Sequence, residues 1–111
     1  MDEAQKLQSV FQTLGEANRL RIIKFIGDQE RSVSQIVEET GLSQPLVSHH
    51  LRTLRESLIL DTKRQGPFIY YKLKDAKLLE ALGLLLEIFK ESDIDSKERM
   101  FSVPNWWKGM C

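Results

Sequence analysis

This 111-residue sequence predicts a mainly α fold carrying one β-hairpin. Apolar residues recur at three- and four-residue intervals from Leu7 to Leu58, the period of helices with one buried face. Between Ile59 and Leu73 the runs become β-prone and the period drops to two. Gly15, Gly27 and Gly41 divide the helical part into four short segments.

Leu7, Val10, Phe11 and Leu14 give the first helix a single apolar stripe that ends before Gly15. Leu20, Ile23 and Ile26, widened by Ile22 and Phe25, form the buried side of a second helix ending near Gly27 and Asp28. Ser32 stands three residues before Gln35, a capping-box spacing. A third helix therefore starts there, with Ser32 accepting from the Gln35 amide. It buries Ile36 and Val37 and closes at Gly41, whose missing Cβ permits a left-handed turn. Ser43 caps a fourth helix with Pro45 in its first turn, where no backbone donor is lost.

In the fourth helix, SQPLVSHHLRTLR and onward, Val47, Leu51, Leu54 and Leu58 follow at intervals of four, three and four and turn one face to the core. Leu58 is expected in that core; otherwise it ends the helix in a strained conformation that glycine usually takes. The other face carries Gln44, Ser48, His49, Arg52 and Arg55. Gln pairs with adenine, Ser and His donate to base edges, and Arg reaches guanine or phosphate. A short helix, a tight Gly-Leu turn and this helix form a helix-turn-helix, whose second helix lies in the major groove of DNA. An ordinary amphipathic surface helix shows the same polar face, but neither the short partner helix nor the tight turn is needed for one.

Ile59 to Arg64 and Phe68 to Leu73 are the hairpin strands, joined by Gln65, Gly66 and Pro67. Ile69, Tyr71 and Leu73 should face inward, and Phe68, Tyr70 and Lys72 outward. Lys63, Arg64 and Gln65 stand at the tip, placed to touch the sugar-phosphate backbone, unless the tip is merely solvated. Four helices followed by a hairpin is the winged helix-turn-helix order. Charge follows the same division: residues 43–74 carry six Lys/Arg against two Asp/Glu, while the flanks 1–42 and 75–111 each carry five against seven. The basic block coincides with the fourth helix and hairpin, which favours phosphate contact over a solvated face. Double-stranded DNA is the expected partner; a winged-helix module for protein docking is the alternative, although docking gives no reason for both elements to be cationic.

Asp75 caps a fifth helix running to about Glu91. Its Leu78, Leu79, Leu82, Leu84, Leu85, Leu86, Ile88 and Phe89 cover more than one stripe, so part of the helix should meet a second copy of the chain. A two-fold dimer would set two reading helices about one DNA turn apart on a roughly palindromic site. The expected organisation is a DNA-binding and dimerisation domain over residues 1–91 and a tail over 92–111.

Other functions find little support. No apolar run approaches the roughly 18 residues of a membrane span, and MDEAQKLQSV is acidic where a secretory signal is basic, so a cytoplasmic location without membrane contact is expected. The lone Cys111 precludes an intrachain disulfide. His49 and His50 project about 100° apart and cannot chelate one ion together, and His50, beside Leu51, reads as a hydrogen-bonded core histidine. No hydrolase, zinc-protease, P-loop or dinucleotide motif occurs, so neither an enzyme nor a cofactor is expected.

The runs LGEANRLRIIKFI, SVSQIVEETGLSQPLVSHHLRTLRES and KRQGPFIYYKL resemble the ArsR/SmtB family of bacterial winged-helix repressors, over roughly residues 7–91. That resemblance implies a homodimer joined through the first and last helices, by Leu7, Val10 and Phe11 with Leu78, Leu82, Leu85, Leu86 and Phe89. It implies an operator-binding repressor, with Ser43, Gln44, Ser48, His49 and Arg52 toward DNA and Lys63, Arg64 and Gln65 in the wing. Many relatives respond to metals, but the positions that resemble their ligands differ here. Ser32 and Ser34 replace a CxC thiolate pair, and Asp75, Lys77, Ile88 and Glu91 align with an Asp-His-His-Glu/His set. Serine is a poor ligand for a soft ion, and no nitrogen ligand remains in the second set. The expected control is a non-metal signal, such as a small-molecule effector, or none.

The tail concentrates Phe101, Trp106, Trp107 and Met110, which either pack over the dimer helices or line an effector pocket or partner surface. Cys111 is read as incidental, with an intersubunit redox switch as the alternative.

Overall fold

The computed structural model describes residues 1–90. In order they form α1 (Glu3–Leu14), α2 (Ala17–Ile26), β1 (Arg31–Ser32), α3 (Val33–Thr40), α4 (Gln44–Glu56), β2 (Leu60–Gln65), β3 (Phe68–Leu73) and α5 (Lys77–Ile88). This is a winged helix-turn-helix. Two compact units divide it, Met1–Leu79 and one beginning at Glu80. The fifth helix stops at Ile88 rather than near Glu91. The tryptophan-rich tail and Cys111 lie outside the described residues.

Caps set the helix starts. Asp2 and Gln5 close a capping box on α1, and Ser32 and Gln35 close the expected one on α3, with Gln35 N donating to Ser32 Oγ at 3.2 Å and Ser32 N to Gln35 Oε1 at 2.9 Å. Gly41 takes the left-handed φ of 71° that ends α3, and two residues later Ser43 caps α4. That three-residue connection holds the two helices of the motif in one geometry.

The core is built from α2, α3, α4 and the base of the sheet. Ile22, Ile23 and Ile26 of α2, Ile36 of α3, Val47, Leu51 and Leu54 of α4, and Leu60 of β2 are almost fully buried. Each such side chain contributes about 1.5–3 kcal/mol of hydrophobic transfer energy. Phe25 lies at the edge, with the Arg31 guanidinium 4.4 Å above its ring and Arg31 Nε donating to its carbonyl. Arg19 ties α2 back to α1, its Nε donating to Thr13 O at 2.6 Å and its Nη2 to Gln12 O at 3.4 Å, near the helix C-terminus.

The sheet has the order β1-β3-β2, antiparallel throughout. Its short first strand was not expected: two residues, the second of them the α3 cap itself, carry no period, and they pair only because Tyr70 and Tyr71 lie opposite Ser32 and Arg31. The hairpin turn is tighter than expected, since Gln65 pairs with Phe68 and leaves only Gly66 and Pro67 in the loop. Gly66 at φ 62° followed by proline is a type II′ pattern, which matches the twist of the strands. The inward alternation holds at Leu73 and weakens at half-buried Tyr71; Ile69, expected inside, is 42% exposed because the ribbon there extends past the core.

Leu58 corrects a second expectation. It is 67% exposed, with φ 63°, and does not enter the core. Leu58 N donates to Arg55 O and Ile59 N to Leu54 O, the hydrogen-bond pair of a Schellman motif with Leu58 in the left-handed position. The backbone thus imposes the glycine-type conformation, and burial fails because the side chain points away from the core. Replacing Leu58 with glycine relieves that strain and loses little packing, so Leu58→Gly should raise stability by about 1 kcal/mol in urea unfolding. A destabilised variant would mean that the leucine side chain makes compensating contacts.

Candidate nucleic-acid interface

The rotation of α4 decides what the protein presents. With Val47, Leu51 and Leu54 buried, Gln44, Ser48, His49, Arg52 and Arg55 are all exposed, and the series 44, 48, 52, 55 runs along one side of the helix. Ser43 is exposed as well, but its hydroxyl is engaged at the cap, accepting from Leu46 N at 3.3 Å. At the wing, Lys63, Arg64 and Gln65 are exposed. Among the described residues no carboxylate lies within ion-pair distance of Arg52, Arg55 or Arg64. Lys63 differs, because its Nζ stands 3.3 Å from Glu30 Oε1, next to β1. The candidate contacts thus fall into two cationic groups on one unit, the side of a helix and the end of a ribbon.

Sequence reasoning missed what holds α4 from behind. His50 is buried, as expected, and its Nε2 lies 3.6 Å from Glu16 Oε2, but its Nδ1 has no hydrogen-bond partner among the described residues. It is a core histidine set against a carboxylate, an ion pair only when the ring is protonated, rather than a hydrogen-bonded one. Glu16 is the N-cap of α2, where its Oε2 accepts from Arg19 N at 2.9 Å, so one carboxylate serves both helices. Burial pushes the His50 pKa below 6.5; Glu16 opposes the shift, and nearby Arg19 and His49 add to it. For Glu16 burial acts upward, yet backbone hydrogen bonds from Arg19 and Asn18, with the charges of His50 and Arg19, bring its pKa below 4.5. At the other end of α4, Ser57 Oγ lies 3.1 Å from Thr13 Oγ1. Glu16 and Thr13 carried no motif in the sequence, because they meet α4 only after the corner at Gly15 is made.

At the positions that the family resemblance pairs with metal ligands, Ser32 is occupied as a cap, Ser34 is exposed, and Asp75 accepts from Lys77 N at 2.9 Å with Lys77 Nζ 3.8 Å away. Ile88 is exposed, and Glu91 lies outside the described residues. Among the described residues no three His, Cys, Asp or Glu side chains group to hold an ion.

Residues 16–60, from the Glu16 cap through α4 to the base of the wing, match the model of the bacterial regulatory protein family arsR. Over 86 residues the chain is 33% identical to a biofilm growth-associated repressor of Xylella fastidiosa, covering 78% of this chain and 75% of that protein. The chain belongs to the ArsR family. Its fold superimposes on the crystal structure of the transcriptional repressor BigR from Xylella fastidiosa with a TM-score of 0.71 at 31% identity, covering 80% of this chain and 91% of that one. A homodimeric winged helix-turn-helix DNA-binding domain from Mycobacterium bovis shares the fold at a TM-score of 0.72 and 22% identity, over 81% of this chain and 83% of that one. ArsR proteins are DNA-binding transcriptional regulators, not enzymes, and so is this chain. No described helix is long and apolar enough to cross a membrane.

The His50 shift makes stability depend on pH with a definite sign. A histidine whose pKa is lowered by folding binds more protons when unfolded, so stability is complete above 6.5 and declines as pH falls through the interval below it. Urea midpoints measured from pH 8 to 5 should drop below pH 6.5, with a slope of at most about 1.4 kcal/mol per pH unit. In His50→Leu the slope over that interval should flatten; an unchanged slope would assign the effect to another group.

Proposed function

We propose that this ArsR-family chain is a sequence-specific repressor that binds a palindromic operator as a homodimer in the cytoplasm. The observation that carries the reading is the exposed Gln44–Ser48–Arg52–Arg55 side of α4, locked outward by the burial of Val47, Leu51 and Leu54. His49 and Arg52 contact base edges, Ser43, Gln44 and Ser48 surround them, and Arg55, Lys63, Arg64 and Gln65 hold the phosphates. The dimer is supported by apolar surface left open on two helices. No residue of α5 is buried, Leu86 is 71% exposed, and Leu7 and Phe11 of α1 are exposed. Val10, Leu78, Leu82, Leu85 and Phe89 complete the interface. Residues 1–91 form this functional domain, and 92–111 are an appended tail.

Control is by a non-metal signal or by none. At the positions where metal-sensing relatives are expected to hold ions, this chain has a capping serine, an exposed serine, a lysine and an isoleucine. The genes beside the operator will indicate the signal, so selection of bound fragments from a genomic library is the first experiment. On the selected duplex, His49→Ala with Arg52→Ala should lose about 1–3 kcal/mol of discrimination over bulk DNA for each base contact removed, with the dimer intact. Undiminished specificity would remove the base-reading role from this face.

Glu30 supplies a second test. Its ion pair with Lys63 must open before Lys63 meets a phosphate. Glu30→Gln should therefore tighten operator binding by a few-fold at low salt, an advantage that fades as salt rises. Equal affinity of the variant and the parent protein would place Lys63 away from the DNA.

A further inference from the structure

The fifth helix is apolar round more of its circumference than a dimer contact uses. Successive residues turn by about 100°, so Leu78, Leu82, Leu85, Leu86 and Phe89 fall on one side of α5, and Ala81, Leu84 and Ile88 form a second row about 100° away. That row is open: Ala81 is exposed, Leu84 is 59% exposed and Ile88 67%. Glu80 and Glu87 border it on the side away from the first row. Neither carboxylate has an ion-pair partner among the described residues.

We infer that this second row is the docking surface for the chain's own C-terminal segment, residues 100–111, with Phe101, Trp106 and Trp107 laid along Leu84 and Ile88. The first row belongs to the partner copy, so this docking rests on the dimer reading above and not on DNA binding. Three features select the occupant. Reach is the first: α5 ends at Ile88, and residues 91–99, six of them charged, lead to Met100. Extended, that stretch spans about 30 Å, whereas Ala81 and Ile88 are only about 10 Å apart along the helix. The segment is therefore long enough to turn back and lie along the row. Composition is the second: MFSVPNWWKGMC carries Lys108 and no Asp or Glu, which suits an apolar row bordered by Glu80 and Glu87. Indole rings, apolar in body with one polar N–H, fit a surface that is dry on one side and wet on the other. Attachment is the third: a tethered segment has an effective concentration on the order of millimolar, so a weak apolar contact suffices where a free partner needs a strong one.

Trp106 and Trp107 are the only tryptophans of the chain, so indole fluorescence reports this segment without a label. The experiment compares acrylamide quenching in the full chain, in Leu84→Gln with Ile88→Gln, and in a free peptide of residues 100–111, with dimer mass followed by sedimentation. Quenching of the parent should be several-fold weaker than that of the peptide, with emission at shorter wavelength. In the double variant it should rise to the peptide level. Dimer mass and helical circular dichroism should stay as in the parent, since both positions are exposed and glutamine is a good helix former. Parent tryptophans as open as those of the peptide would overturn the docking. So would a double variant that keeps them protected, because the segment would then sit elsewhere. Loss of the dimer in the double variant would also overturn it, by assigning the row to the contact between copies. A mixed dimer of one double-variant chain and one Trp106→Phe, Trp107→Phe chain should show open tryptophans; protected ones would place the segment on the partner copy and overturn docking within one chain. A monomeric parent whose tryptophans are protected, and opened by the double variant, would remove the dimer reading and support the docking.

Discussion

The burial of one side of α4 is the constraint on which the rest of this molecule depends. Val47, Leu51 and Leu54 have a single place to go, against the isoleucines of α2 and α3, and that fixes the helix about its own axis. A rotation by one residue, about 100°, would bring Ser48 and Arg52 toward the core and desolvate a guanidinium without a partner. The exposed polar face is the complement of the packing. Glu16 and Thr13 secure the same helix from its other side, one near His50 and one at the C-cap.

Membership of the ArsR family places this chain among DNA-binding regulators. Ser32 is informative because its side chain is already engaged in the fold. Its hydroxyl and the Gln35 side chain satisfy two donors at the start of α3. A cysteine there would have to give up capping to bind an ion. Lys77 likewise faces Asp75, and the two form an exposed pair of small energetic weight.

Helix boundaries were legible because their signals are local. The Ser32–Gln35 box, the left-handed Gly41 and the Ser43 cap each involve residues within a few positions of one another. What stayed hidden was long-range. The pairing of Arg31 with Tyr71 spans forty residues of sequence, and the meetings of Glu16 with His50 and of Glu30 with Lys63 span more than thirty. Leu58 misled because apolar spacing and backbone conformation gave opposite answers at one position, and the hydrogen bonds of the Schellman turn prevailed. On the proposed DNA-facing side, the exposed residues of α4 follow directly from the helical period. The exposure of Ile69, expected inside, does not, because it depends on how far β1 extends.

That same turn has a mechanical meaning. Ile59 donates to the last turn of α4 through its N–H and accepts from Lys74 through its carbonyl, so a single residue belongs to the helix terminus and to the sheet. No linker separates the helix from the ribbon, so the spacing between the end of α4 and the base of the hairpin is set at Ile59 rather than by a loose connection.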